Sequence, residues 1–129
     1  MLTYTSTFSS FSVDNIDKAK DFYGSLLGLA IEEQENMGLH LKLDGGNTVF
    51  MYPKDNHVPA SYTVLNFVVD DIDAAVDDLA SNGVVFEHYS EGMLKTDEKG
   101  IARAPELYPD MAWFKDPAGN FLALLKEKH

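Results

Sequence analysis

Two stretches of this chain are nearly the same, and this repeat constrains the fold more than any other feature. FSVDNIDKA at Phe11–Ala19 returns as FVVDDIDAA at Phe67–Ala75, with six of nine positions identical and a shift of 56 residues (67 − 11). Each copy runs from apolar residues through acidic ones into a helical pattern. A repeated supersecondary unit predicts two halves that bury a face against each other. We therefore expect the functional site in the cleft between the two halves.

The overall composition excludes several classes of protein. The chain has 129 residues, 45% of them apolar, which suffices for one globular domain. It contains no cysteine, and its net charge of −11 disfavours binding to the phosphate backbone of nucleic acids. No apolar run is long enough to span a membrane, and the N-terminus MLTYTSTFSS lacks the pattern of a secretory signal. We therefore expect a cytoplasmic protein that binds neither nucleic acid nor membrane.

Hydrophobic periodicity predicts the same order of elements in both halves: strand, helix, strand, strand, strand. The first helix is expected to be capped by Asp14 or Asn15 and the second by Asp70 or Asp71, because these side chains can accept hydrogen bonds from free backbone N–H groups. In the second half, Val84–His88 is the predicted second strand. Helices on one face of a mostly antiparallel sheet define an α+β class.

Polar segments that contain proline or glycine predict the domain organisation of the chain. We expect a single domain over residues 1–129, with one module at about 1–54, a linker at about 53–61 and a second module at about 62–129. The segment Tyr89–Asp110 is long, irregular and interrupted by glycine and proline. A loop of that length in a compact domain is often a lid or a binding segment.

Two motifs at opposite ends of the chain resemble a known superfamily. VDNIDKAKDFYGSLLGL (Val13–Leu29) is similar to the first helix of the vicinal oxygen chelate superfamily, and FKDPAGNFLALL (Phe114–Leu125) is similar to its last hairpin. The superfamily includes glyoxalase I, extradiol dioxygenases, and bleomycin and fosfomycin resistance proteins. The resemblance implies two tandem βαβββ modules whose curved sheets enclose a central cleft.

The resemblance also implies where a metal would be held in the catalytic branches, with two ligands from each half. Those positions are occupied here by Phe8, Phe50, Val64 and Ala123, and no neighbour of these residues is His, Asp, Glu or Cys. Carbon side chains cannot ligate a divalent metal, which requires imidazole nitrogen or carboxylate oxygen. We therefore expect no metal and no cofactor. The metal-dependent reactions of glyoxalase I and the dioxygenases are disfavoured.

The candidate binding residues follow from strand alternation and from the preference of ligand pockets for aromatic side chains. Alternation places Ser10 with Phe8, Tyr52 with Phe50, and Asn66 with Val64. Glu106 is a carboxylate among apolar neighbours, a setting that can raise a pKa. The predicted ligand-binding residues are Phe8, Ser10, Phe50, Tyr52, Asn66, Trp113 and Glu106.

Three functions are compatible with this sequence. The leading hypothesis is a metal-independent protein that holds a small organic ligand, cationic or aromatic, in an aromatic-lined cleft. The second is a lyase or isomerase of the glyoxalase type, which would need ligands from His40, His88 or Glu106, or from a partner chain. The third is a structural module whose cavity is filled by Phe8 and Phe50. No catalytic residue is assigned, and a homodimer is expected because relatives of this kind often pair.

Overall fold

The computed structural model describes residues 1–92, 95–103 and 109–127. The chain divides into two compact units, Met1–Pro59 and Ala60–His129. Within the described residues, each unit contains a four-stranded sheet, with strand order β1-β4-β3-β2 in the first and β5-β8-β7-β6 in the second. In both sheets the first strand pairs in parallel with the last, and the remaining pairs are antiparallel. The shared order confirms the duplication and the α+β class.

The first unit consists of four strands, a short α-helix, a π-helix and a 3₁₀ turn. Its elements are β1 (Ser9–Val13), α1 (Ile16–Lys20), a π-helix (Asp21–Leu26), β2 (Ala30–Gln34), β3 (Gly38–Lys42), a 3₁₀ turn (Asp44–Gly46) and β4 (Thr48–Pro53). Asn15 caps α1, since its Oδ1 accepts a hydrogen bond of 3.0 Å from the Lys18 N–H.

The second unit repeats this plan with a longer helix. Its elements are β5 (Thr63–Val68), α2 (Ile72–Ser81), β6 (Ile101–Ala102), β7 (Asp110–Lys115) and β8 (Phe121–Lys126). Asp71, 56 residues after Asn15 (71 − 15), caps α2 by accepting a hydrogen bond of 3.0 Å from the Ala74 N–H. No helix among the described residues is long and apolar enough to cross a membrane.

The first sheet has one buried apolar face and an opposite face that carries both polar and aromatic side chains. The Phe11 ring contacts the fully buried Tyr23 of the π-helix, with centroids 6.2 Å apart, so this face of the sheet lies against the helical segment. Residues of this face are buried: Val13, Leu39, Leu41, Val49 and Met51. Side chains alternate along strands, so the residues between them lie on the opposite face. That second face carries the groups described in the next subsection.

Two elements differ from the sequence prediction. Val84–His88 is not a strand; only Phe86 forms an isolated bridge, to Phe114 of β7, and the fourth strand of this sheet is Ile101–Ala102. The edge of β7 is thus covered by two separate short pieces, one of them from the segment predicted to be a long irregular loop. The predicted first helix continues as a π-helix, in which the Leu27 N–H donates to the Phe22 carbonyl.

Candidate ligand-binding site

Three aromatic side chains line the second face of the first sheet. His40 on β3 is the register partner of Phe50 on β4, and their ring centroids are 4.7 Å apart with planes inclined by 41°. Phe50 and Tyr52, two residues apart on β4, have ring centroids 6.3 Å apart and planes that differ by 20°. All three side chains are half-buried. We call these three residues the aromatic ledge.

Two hydroxyl groups flank the ledge on the neighbouring strand. Ser10 pairs with Phe50 and Ser12 pairs with Tyr52 in the parallel register between β1 and β4. Ser10 is exposed and Ser12 is half-buried. Ser12 Oγ lies 2.7 Å from Nδ1 of His57, a residue of the segment that follows β4. The sheet therefore presents rings and hydroxyls side by side on one surface.

His40 is held in place from the side opposite the serines. Its Nε2 lies 3.0 Å from Oε1 of Gln34 on β2. Because an amide oxygen only accepts hydrogen bonds, His40 Nε2 is the donor in this contact. Nδ1 is buried, with no hydrogen-bond partner among the described residues. The imidazole thus contributes to the ledge mainly as a ring.

The second sheet carries the other cluster of predicted residues. Asn66, Ala123 and Trp113 are consecutive register partners across β5, β8 and β7. Trp113 is only 7% exposed and packs with Ala123 and Ala102. The Tyr89 ring meets Trp113 edge-on, with centroids 5.7 Å apart. Burial, with the nearby Glu87 carboxylate, raises the pKa of the Tyr89 hydroxyl above its usual range.

The predicted binding residues therefore fall into separate groups. Ser10, Phe50 and Tyr52 are neighbours in the first unit, and Asn66 and Trp113 flank Ala123 in the second. Phe8 precedes β1, which begins at Ser9, and its side chain is 65% exposed.

Glu106 lies outside the described residues. The prediction had given no role to Ser12 and His57, whose contact links residues 45 positions apart.

The residues of this chain do not fit the metal that the catalytic branches imply. Phe50 and Ala123 lie on β4 and β8, Phe8 lies before β1, and Val64 lies where the pairing of β5 and β8 shifts register. None of the four side chains contains a donor atom. Within the described part of the chain, no group of three or more His, Asp or Glu side chains is placed to hold a metal ion.

The fold and the matched segment define the family of this chain. The model of the glyoxalase/bleomycin resistance protein/dioxygenase superfamily matches residues 7–124. The chain therefore belongs to this superfamily, as the terminal motifs predicted. No match was found among curated proteins.

Solved structures share the fold over nearly the whole chain. TnmS3, an antibiotic binding protein from Streptomyces sp. CB03234, is 24% identical, with 98% of this chain and 100% of that chain covered and a TM-score of 0.68. The fosfomycin resistance protein FosX from Listeria monocytogenes is 10% identical, with 98% and 96% covered and a TM-score of 0.71. Lactoylglutathione lyase from Agrobacterium tumefaciens is 19% identical, with 96% and 94% covered and a TM-score of 0.64. At these identities the similarity shows a common fold.

Proposed function

We propose that this protein binds a small organic molecule through its aromatic surfaces, without a metal ion. The observation that carries the proposal is Phe50. The family resemblance implies a metal ligand at this position in the catalytic branches, and here the position holds a phenyl ring that stands half-buried between the rings of His40 and Tyr52. Ligand sites are mostly apolar and aromatic, with a few polar groups that set orientation. The ledge, with Ser10 and Ser12 beside it, has that composition.

Each unit carries its own group of predicted ligand contacts. Ser10, Phe50 and Tyr52 contribute from the first sheet, and Asn66 and Trp113 from the second. Phe8 and Glu106 remain predictions as ligand contacts. The similarity to an antibiotic binding protein supports a small-molecule ligand. The net charge of −11 favours a ligand that is not anionic.

Calorimetric titration with a panel of aromatic and cationic compounds tests the proposal. We expect saturable binding of at least one compound. The variant with both Phe50→Ala and Tyr52→Ala should lose about fivefold or more in affinity, because each aromatic contact contributes about 0.5–1.5 kcal/mol beyond its area. Tyr62→Ala is the matched control, since it removes a ring that is 70% exposed and is not one of the three residues of the ledge. If no compound in the panel binds, or if both variants bind equally well, the proposal is wrong.

Metal independence needs its own measurement. Elemental analysis of protein purified without chelators should find no stoichiometric divalent ion, and EDTA should leave the affinity unchanged. A bound ion whose removal abolishes binding would contradict this part of the proposal. The homodimer and the cytoplasmic location stay predictions. Light scattering of the purified protein tests the former, with a mass near twice 14.3 kDa expected.

A further inference from the structure

The tight turn between β2 and β3 brings a thioether beside the end of β2. Gln34 pairs with Gly38 in the antiparallel register, so the turn consists of residues 35–37. Asn36 adopts the left-handed conformation, with φ at +65°, and the Met37 N–H donates to the Gln34 carbonyl at 3.0 Å. The turn thereby places Met37 at the surface, where it is 54% exposed.

The Gln34 side chain connects this thioether to the aromatic ledge. Its Nε2 lies 3.2 Å from Sδ of Met37, and its Oε1 lies 3.0 Å from Nε2 of His40. An amide nitrogen only donates and an amide oxygen only accepts, so both contacts favour the same orientation of the amide. The His40 ring in turn packs against Phe50, with centroids 4.7 Å apart. A continuous series of contacts therefore runs from an exposed sulfur atom to the ledge.

Oxidation of the sulfur changes the first of these contacts. A peroxide transfers one oxygen atom to a thioether: the O–O bond breaks, an S–O bond forms, sulfur is oxidised, and the peroxide is reduced to water. An N–H···O hydrogen bond spans about 2.9 Å from nitrogen to oxygen. The new oxygen therefore cannot lie between Gln34 Nε2 and Met37 Sδ, which are only 3.2 Å apart. The two groups must separate, or the amide must turn toward the oxygen, and both movements weaken its contact with His40.

The other described methionines provide comparisons for Met37. Met51 belongs to the same unit and is fully buried, and Met111 of the second unit is half-buried. Met1 is exposed at the N-terminus. Oxidation of methionine by a dissolved peroxide requires access to the sulfur, so Met51 is the internal standard for a protected side chain.

We propose that Met37 is a reversible oxidation site, at which conversion to the sulfoxide weakens the contact between Gln34 and His40 and loosens one ring of the ledge. Methionine sulfoxide reductases, one for each sulfoxide epimer, return the side chain to the thioether. The inference goes beyond the proposed function, because it adds control of the ledge by oxidants. Its tests require no ligand.

Hydrogen peroxide treatment followed by mass spectrometry of the peptides tests the modification. We expect Met37 to gain one oxygen atom at least about tenfold faster than Met51, because the sulfur of Met37 is accessible and that of Met51 is not. In urea, where both side chains are accessible, the two rates should become equal. Treatment with both reductases should then restore the original mass. Equal rates in the folded protein would show that Met37 is not a selective site.

NMR of the imidazole nitrogens tests the coupling to the ledge. We expect the His40 Nε2 resonance to shift after oxidation and to return after reduction, because its chemical shift responds to hydrogen bonding. The internal control is His88 of the second unit, whose Nε2 lies 3.2 Å from the Glu98 carbonyl oxygen and should not shift. Met37→Leu removes the sulfur, and its His40 resonance should be the same before and after peroxide.

The outcomes are distinct from those of the ligand titrations. If Met37 is oxidised while the His40 resonance stays in place, the two residues are not coupled and the inference is wrong. It is also wrong if Met37→Leu shows the same shift after peroxide, since another residue is then responsible. Neither outcome bears on small-molecule binding, which the panel of compounds tests separately. Urea unfolding of Met37→Leu confirms that the variant is folded before its spectra are compared.

Discussion

Ser12 and His57 are 45 residues apart in the chain, yet Ser12 Oγ lies 2.7 Å from His57 Nδ1. Ser12 is on the edge strand β1, and His57 belongs to the segment that follows β4. The Lys54 N–H also donates to the Val13 carbonyl, at 3.0 Å. These two bonds attach the end of the first unit to its edge strand. The contact therefore fixes a hydroxyl at the border of the aromatic ledge.

A double-mutant cycle measures the contribution of this pair. We expect Ser12→Ala and His57→Ala each to lower the free energy of unfolding by about 1 kcal/mol, with a coupling energy of similar size, because a typical intramolecular hydrogen bond contributes about 0.5–1.5 kcal/mol. Urea titration gives these values. Ser10→Ala, two residues away on the exposed part of the same strand, should change stability by less than about 0.5 kcal/mol. Additive single-mutant effects would show that the pair does not interact in solution.

The turn after β7 depends on one buried carboxylate. Asp116 is 5% exposed, and its Oδ1 accepts hydrogen bonds from the N–H groups of Ala118 at 2.9 Å and Asn120 at 2.8 Å. The Asn120 amide donates to Oδ2 at 3.1 Å. Removing the carboxylate leaves several buried donors without this acceptor. We expect Asp116→Ala to lower the unfolding free energy by about 3 kcal/mol, since hydrogen bonds to charged groups contribute about 1.5–3 kcal/mol each.

The corresponding turn of the first unit provides the control. Asp44 begins a turn between β3 and β4, but its side chain is exposed. Asp44→Ala should therefore cost less than about 1 kcal/mol. Guanidinium unfolding of the two variants, followed by circular dichroism, gives the comparison. Equal losses would mean that burial of Asp116 is not what makes its turn important.

The repeat allowed much of the fold to be predicted, because it carries the helix caps and the apolar faces twice. Four residues were predicted as possible helix caps, and two of them, Asn15 and Asp71, cap their helices in the structure. The predicted strand at Val84–His88 failed because an apolar run indicates burial but not hydrogen-bond pairing. Phe86 is indeed buried, yet β7 pairs beside it with Ile101–Ala102. The π-helix was not predictable, since one wide turn hardly alters the apolar spacing.

Alternation on paired strands explains which parts of the candidate site could be predicted. Ser10, Phe50 and Tyr52 share a face because their strands pair in a fixed register. Phe8 was assigned from the ligand position that the family resemblance implies, and alternation linked Ser10 to it; β1 begins at Ser9, so the alternation of this strand does not extend to Phe8. The contact of Ser12 with His57 depends on the path of an irregular segment, for which the sequence has no periodic signal.

Gly38 allows β3 to lie against β4 beside the ledge. Its φ is +150°, and a Cβ built there would collide with the Met51 carbonyl oxygen and approach Phe50 Cζ to 3.1 Å. The backbone atom cannot move without disturbing the sheet. We expect Gly38→Ala to lower the unfolding free energy by about 3 kcal/mol or more, as for severe overpacking.

Gly46→Ala is the control that distinguishes steric collision from backbone strain. It also has a positive φ, +82°, but a Cβ there would meet nothing within 4 Å. Gly46→Ala should cost only about 1–2 kcal/mol, the usual penalty for the left-handed conformation. Thermal and urea unfolding of both variants provide the measurement. A Gly38→Ala variant as stable as Gly46→Ala would refute the collision with Met51.

An ion network around Arg103 should make the second unit sensitive to acid. Arg103 Nη2 lies 2.7 Å from Asp73 Oδ1 on α2, and Nε lies 3.1 Å from Asp97 Oδ2. The hydrogen bond from Arg103 is the main cause that lowers the pKa of Asp73. Burial raises the pKa of Asp97, but hydrogen bonds from the Ile101 N–H and from Arg103 outweigh it and leave that pKa below its usual range.

These lowered pKa values fix the sign of the pH dependence. A carboxyl group whose pKa is lower in the folded state contributes stability above the ordinary aspartate pKa of about 3.9. That contribution is lost as the pH falls through the lower folded-state pKa. We expect Arg103→Gln to be less stable than the unchanged protein at pH 7 and to lose less stability between about pH 5 and pH 2.

Urea unfolding midpoints at successive pH values measure the stability of both proteins. Lys54→Gln removes the same charge outside this network, so it controls for the net charge of −11. If Arg103→Gln and Lys54→Gln lose the same stability between about pH 5 and pH 2, Arg103 does not lower the pKa values of Asp73 and Asp97.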